Sequence, residues 1–475
     1  MSTIPGKILA GATGDRTVRI AVCGGANCGK TVFLTSLLNH LLAHTPSFAP
    51  DGWKIAKALL LESSSKKFPS FPYKRHRASF VEGGGGWPQK TQAVSLARIS
   101  VTLERTKKLD WMHRQIMHSA HVRNLELLDL PGERIADFSM YGASYADWCN
   151  RMLKRHGGSK TYAAYLERCK TCLAGLTPEN LDRGESEILS AYRDFLLSEL
   201  LAFNPLISPS VCVLSKDGET VPSKNNLPTA KIRKELDKAL LGVDADSPFS
   251  PLPPECAKKG LLADRFKKRY LAYRKDVVEP IVSWLKDVDR FCYLVDVLGT
   301  LRDGPAAYNG AKNAGEEVLD LFPTLSWIEK KTHLNFTFNL DEFYLLATKA
   351  DCVLPDKGKG EIRGNLPKLL NKMLETDRLA IDKKARFCRA CAAVKTTTPS
   401  KDNDNMLDGW FVANKGEKPE YRHVKASRVP PDWPEGDKWG PFVDPSHNFV
   451  PRFTIREDEP PKQIGLDWFC RKILK

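Results

Sequence analysis

Residues 24–31, Gly-Gly-Ala-Asn-Cys-Gly-Lys-Thr, constrain this chain more than any other stretch. They satisfy G-x-x-x-x-G-K-[ST] without a mismatch, the pattern of a loop whose backbone N–H groups curl inward around phosphate oxygens. Gly24 and Gly29 allow the curl, and Ala26, Asn27 and Cys28 supply the backbone between them. Lys30 is placed to neutralise phosphate charge, and the Thr31 hydroxyl is a hard oxygen donor suited to Mg²⁺. Thr17–Val22, just upstream, is β-branched and apolar, as a buried strand requires. Downstream, Val32, Phe33, Leu37, Leu38, Leu41 and Leu42 recur at helical spacing. Strand, loop and helix in that order bring a helix N-terminus and its dipole to an anion.

A second signature follows. Asn124–Leu130 is an apolar strand ending in Asp129-Leu130-Pro131-Gly132-Glu133. In a D-x-x-G after a phosphate loop, Asp129 is expected to hold Mg²⁺, usually through water, and the Gly132 N–H to sense a γ-phosphate. Ala97–Arg105 alternates apolar and polar residues and predicts an edge strand with one buried face. Between loop and strand, Pro69, Pro72, Gly83–Gly86 and Pro88 argue against regular structure from Lys66 to Lys90. A mobile switch belongs there. Thr91 is the candidate to close on Mg²⁺ and the γ-phosphate, with an ordinary loop threonine as the alternative.

The base is read from a third place. Phe343–Ala347 predicts a strand leading into Thr348-Lys349-Ala350-Asp351. In this N/T-K-x-D pattern, Asp351 would accept hydrogen bonds from guanine N1–H and the 2-amino group, donors that adenine lacks there. The Lys349 stem would lie across the purine. Thr348 in place of the commoner Asn gives up some bracing of the loop. Arg386–Val394 predicts the last strand, with a backbone N–H of Ala393 or Val394 facing guanine O6. Asp296-Val297-Leu298-Gly299 repeats D-x-x-G after the strand at Phe291–Val297, but its place in the order argues against a metal site.

These motifs predict an α/β P-loop nucleotide-binding fold of GTPase type, with a mostly parallel sheet, binding GTP/GDP and Mg²⁺ and hydrolysing GTP. Catalysis would rest on Lys30, Thr91 and Glu133. Glu133 would either orient water or hold the switch through a salt bridge. No arginine finger is identifiable, so the expected intrinsic rate is slow, on the order of 10⁻⁴–10⁻² s⁻¹. An Asn at position 27 either coordinates K⁺, as in cation-activated GTPases, or simply suits the loop. A nucleotide-binding module with little hydrolysis is the competing reading. A small P-loop kinase is disfavoured by Asp351.

The sequence divides into residues 17–133 and 291–398 as two parts of the core, 134–290 as a large, mostly helical insertion, and 399–475 as an irregular wrapping segment with Trp410, Trp433 and Trp439. Within the insertion, helical spacing covers 145–156, 160–176, 185–203 and 261–288, with Pro280 bending the last. A short helix over 464–474 closes the chain. No apolar run reaches the roughly 18 residues of a membrane span, and the N-terminus carries no secretory signal. The net charge of +15 permits attraction to nucleic acid or an anionic membrane surface, with nothing beyond charge in support. The basic clusters (Lys66–Arg77, Lys267–Lys275) read first as solvated surface. The 12 cysteines read as reduced thiols. Of the two C-x-x-C pairs, Cys169/Cys172 lies in a helical pattern and Cys388/Cys391 in a strand, where residues three apart face opposite ways.

Several blocks together resemble the YcjX-like family of P-loop proteins. They are Lys30–Thr35, Trp87-Pro88 with Thr91, Leu128–Glu133 with Ser144–Trp148, Arg269–Pro280, Val295–Gly299, Ala347–Asp351 and Pro451-Arg452-Phe453. The resemblance implies a cytoplasmic, bacterial-type GTP-binding and GTP-hydrolysing protein loosely tied to stress response. It also implies a helical insertion, which we expect to meet a protein partner. The chain departs from the family at Asn27, where Arg is common, and at Leu130, where the family often has Tyr.

Overall fold

The structure is a computed structural model that describes residues 16–25, 27–62, 67–81, 87, 94–106, 120–204, 207–210, 248–322, 340–356, 363–374, 376, 383–411, 420–443 and 459–475. Its framework is one sheet of seven strands: β1 (Arg16–Gly24), β2 (Trp53–Leu61), β3 (Ser95–Arg105), β4 (Ala120–Pro131), β5 (Arg290–Val295), β6 (Glu342–Ala347) and β7 (Arg386–Ala390). Their spatial order is β2-β3-β4-β1-β5-β6-β7. β2, β3 and β4 pair antiparallel, while β4, β1, β5, β6 and β7 run parallel. The five parallel strands therefore end at the same edge, bringing Gly24, Pro131, Val295, Ala347 and Ala390 into one row. In open α/β sheets this carboxyl edge is where ligands bind.

The helices are α1 (Lys30–Leu42), α2 (Tyr73–Val81), α3 (Tyr145–His156), α4 (Lys160–Ala174), α5 (Leu181–Leu201), α6 (Leu261–Tyr273), α7 (Glu279–Leu285), α8 (Val297–Asp303), α9 (Pro305–Leu319), α10 (Asn365–Met373) and α11 (Leu466–Leu474). α1 and α11 cover one sheet face, where Phe33 and Phe469 meet edge to face with centroids 5.2 Å apart. Buried Arg290 anchors the end of α11 through Nη1 to Lys472 O (3.0 Å) and pairs with Glu342 (2.8 Å). The other face carries the helices between β4 and β5, whose apolar side chains join Leu128, Leu130, Phe291 and Phe343 in one continuous core. At its centre the rings of Tyr145, Trp148, Phe249 and Tyr270 meet edge-on or tilted. Coverage on both faces explains why β5 is buried at every position and reads as an apolar run.

Several expectations are corrected. β3 has one buried face but is not an edge strand, because β2 pairs outside it. β2 escapes an alternation test because its register shifts between Ile55 and Lys57 and because Leu59, Leu60 and Leu61 are all exposed. α2 lies inside the stretch expected to be irregular. Pro72 immediately precedes it, where a missing N–H costs nothing, and the His76 N–H bonds Pro72 O at 3.1 Å. At Pro280 the disruption takes the form of a π-helical turn, Arg274–Val278, which joins α6 to α7. Where the sequence predicts an irregular segment from residue 399, three short strands, β8 (Thr397–Pro399), β9 (Met406–Phe411) and β10 (Glu420–Lys425), form a small antiparallel sheet that already begins at Thr397. Cys388 and Cys391 face opposite sides of the large sheet.

Candidate functional site

Steric need shapes the phosphate loop. A Cβ on Gly24 would lie 2.4 Å from Leu294 O and 2.6 Å from Cys28 Sγ, so only glycine passes. Asn27 (φ 60°) and Gly29 (φ 88°) are both left-handed, a conformation that Asn tolerates better than most residues. Asn27 thus suits the backbone of the loop, and its side chain is exposed. Lys30 opens α1 and turns back on the loop, with Nζ donating to Gly24 O (2.7 Å) and Gly25 O (3.2 Å). Burial alone would pull the Lys30 pKa down. Neighbouring Cys28, Glu133 and Asp129 outweigh it and hold the ammonium above the ordinary lysine range. At neutral pH the carboxylates carry this effect, since burial also raises the Cys28 thiol and keeps it protonated. Ala26 lies outside the described residues.

The second signature abuts the first. β4 runs beside β1, so Asp129 registers with Val22 and Pro131 with Gly24. A Cβ on Gly132 would lie 2.5 Å from Gly24 O, so the two motif glycines pack backbone to backbone. Asp129 is fully buried, and Thr31 and Glu133 are buried nearby at the start of α1 and just past Gly132. Among the described residues no three His, Cys, Asp or Glu side chains cluster as a metal cage. The oxygen donors Thr31 and Asp129 instead suit a hard cation that keeps waters and phosphate oxygens as further ligands, which is the habit of Mg²⁺. Thr91 lies outside the described residues.

Beyond Glu133, the 3₁₀ segment Gly132–Met140 is bonded into the helical layer. Buried Asp137 accepts from Ser208 Oγ (2.9 Å), Ser210 N (2.8 Å), Ser210 Oγ (2.5 Å) and the Tyr273 hydroxyl (2.7 Å). Arg134 donates to the same Tyr273 hydroxyl (2.6 Å) and to Ser210 Oγ (3.1 Å). Burial pushes the Asp137 carboxyl upward even against Arg134 and these bonds. Helical periodicity gives no sign of this network, because its members come from three separate segments.

The residues expected to read the base follow β6 at the same carboxyl edge. Lys349 is left-handed (φ 57°) and its ammonium pairs with Asp296 at 2.5 Å. Asp296 also caps α8, accepting from Gly299 N at 2.8 Å, and a Cβ at Gly299 would collide with that carboxylate. The repeated D-x-x-G is therefore a helix cap that also holds Lys349. Asp351 is buried, with Thr396 and Thr397 bonded to it. Ala393 O accepts from Ser36 of α1 (2.6 Å), and Val394 packs with Val32 and with Phe80 at the end of α2. This contact joins the phosphate-loop helix to the loop after β7. Spacing did not reveal Asp296's pairing with Lys349, nor Thr396 or Phe80, though the Thr396-Thr397-Thr398 run in the stretch after β7 is a visible clue.

Comparison with known proteins agrees with this architecture. The model of the YcjX-like family, DUF463, matches residues 18–475. The chain belongs to the YcjX-like family. It is similar to the "Ras-like GTPase YcjX" of Escherichia coli (strain K12), with 26% identity over 396 residues, covering 81% of this chain and 79% of that protein. It is also similar to the "Ras-like GTPase YcjX" of Shewanella oneidensis, with 23% identity over 449 residues, covering 90% of this chain and 87% of that protein. This membership accords with the resemblance read from the motifs. No helix among the described residues is long and apolar enough to cross a membrane.

Proposed function

We propose that this chain binds guanine nucleotide and hydrolyses GTP to GDP with Mg²⁺, acting as a slow regulatory switch. The observation that carries the reading is the packing of Gly132 on Gly24. It brings the glycine that would sense a γ-phosphate against the loop that would hold it, with Asp351 on the same sheet edge, and so supports the reading. Its relatives, named as GTPases, support the same class.

In this reading Lys30 and the loop N–H groups hold the β- and γ-phosphates. Thr31, Asp129 and Thr91 hold the Mg²⁺, which neutralises charge on the phosphate oxygens. Glu133 orients the attacking water or fixes the switch. Asp351 and Lys349 select guanine, with a backbone N–H of Ala393 or Val394 on O6. Arg134 is engaged by Tyr273 and Ser210, which fits a slow unassisted rate. Asn27, exposed at the rim of the loop, is the residue through which K⁺ would act.

The division into core (17–133 and 291–398), helical insertion (134–290) and wrapping segment (399–475) belongs to the same proposal. So do a cytoplasmic location, a role in stress response, and a protein partner at the helical layer that is bonded to the switch. The test is GTP turnover with and without Mg²⁺, in the natural chain and in Lys30→Ala. Turnover that needs Mg²⁺ and disappears with Lys30 supports the reading. Unchanged turnover or GDP affinity in Lys30→Ala refutes the site.

A further inference from the structure

We propose that Thr396 is a positioning residue for base selection, bracing Asp351 in place of the side chain at position 348. The inference rests on the guanine reading above and deepens it. A reading carboxylate must be held at a fixed angle, because its lone pairs have to meet donors on a planar base. In this chain the residue that begins the T-K-x-D pattern does not supply that brace. Thr348 turns its hydroxyl to Val295 O at 3.3 Å, tying the loop to β5 and leaving the Asp351 side chain to other partners.

The loop after β7 provides the brace. Asp351 Oδ2 accepts from the Thr396 backbone N–H at 2.8 Å and from the Thr396 hydroxyl at 2.6 Å. Two donors on one oxygen occupy its lone-pair directions and stop the carboxylate from turning about its Cβ–Cγ bond. Among the described residues both bonds to the Asp351 side chain fall on Oδ2, which leaves Oδ1 to face the base. The backbone is fixed as well: Thr397 Oγ1 donates to Asp351 O at 2.5 Å, and Ala350 N to Cys391 O at 3.2 Å. Asp351 is only 5% exposed, so water competes poorly for these bonds, and hydrogen bonds to a charged group are the stronger kind. Ala393 and Val394 lie between Cys391 and Thr396 in the same loop. A single short segment therefore sets both the carboxylate and the backbone N–H offered to guanine.

The experiment is calorimetric titration of the full chain with GDP and with ADP, comparing the natural protein with Thr396→Val, Thr396→Ala and Thr396→Ser. Loss of the hydroxyl in Thr396→Val or Thr396→Ala is expected to weaken GDP about tenfold and to leave ADP unchanged, since adenine offers no donors to Asp351. Thr396→Ser, which keeps the hydroxyl, is expected to stay within about twofold of the natural protein. Equal weakening of GDP and ADP would show a structural role only and would overturn the proposal. So would an unchanged GDP affinity in both variants that lack the hydroxyl. If the natural protein binds ADP as well as GDP, the guanine reading itself fails. A natural preference for GDP that Thr396 substitutions do not move defeats the Thr396 assignment alone.

Discussion

Gly132→Ala probes the contact between the two nucleotide motifs. The new Cβ would lie 2.5 Å from Gly24 O and 2.9 Å from the carbonyl carbon, both rigid backbone atoms. To reach the 3.4 Å of ordinary contact, one backbone must retreat by about 0.9 Å. Gly24 has little room to do so, held in the sheet as it is between Pro131 of β4 and Leu294 of β5. The segment that begins at Gly132 must therefore move, taking Glu133 with it. Overpacking of this kind costs about 1–3 kcal/mol in stability. A displacement near 1 Å at a reacting centre lowers turnover about 100-fold. Single-turnover GTP hydrolysis and urea unfolding would measure both effects. Gly158→Ala, whose Cβ meets nothing within 4 Å, serves as the control and should stay within about 0.5 kcal/mol of the natural chain. A Gly132→Ala protein with natural stability and natural turnover would refute the claim that the two glycines are in tight backbone contact.

Asp137→Ala should destabilise the fold by about 3 kcal/mol, because it removes the common acceptor of Ser208, Ser210 and Tyr273 and the carboxylate that faces Arg134 at 3.9 Å. Urea unfolding measures this, and a loss under 1 kcal/mol would mean that the network does not tie the Gly132–Met140 segment to the helices. Acid should also weaken the fold through two buried histidines. Burial holds His40, bonded to Pro461 O and Thr45 Oγ1, down to about 4. Burial and then Arg75 do the same to His76. Unfolded histidine takes a proton near 6.5, so the unfolded chain binds more protons between about pH 6.5 and 4. Their contribution is complete above about pH 6.5 and falls as the pH drops towards 4, by up to roughly 3 kcal/mol for His40. Unfolding midpoints measured at pH 7 and pH 4.5 should differ less in His40→Asn, and an identical pH slope in that variant would contradict the assignment.

What the sequence makes legible here is whatever depends on local spacing. The phosphate loop, the apolar strand before Asp129 and the Thr348–Asp351 turn are contiguous patterns, and the parallel strands carry them to one edge. The capping box at Ser144 and Asp147 starts α3 where helical spacing places it. What stayed hidden depends on tertiary pairing. β2 became the sheet edge through its pairing with β3, which no property of residues 53–61 announces. α2 formed despite the flanking prolines and glycines because Pro72 falls just before its first turn, where its missing N–H is harmless. The second D-x-x-G had the spacing of a metal motif, yet only the fold shows Asp296 bonded to Gly299 and Lys349. Thr396 and Asp351 are 45 residues apart in sequence and meet only because β6 and β7 are neighbours.

The most direct test of the central claim is calorimetric titration of the nucleotide-free chain with GDP and ADP in Mg²⁺, repeated with Asp351→Asn. The account predicts a strong preference for GDP that the substitution abolishes. Equal binding of the two nucleotides, or a GDP preference indifferent to Asp351, would contradict it and leave a P-loop protein with its base site elsewhere.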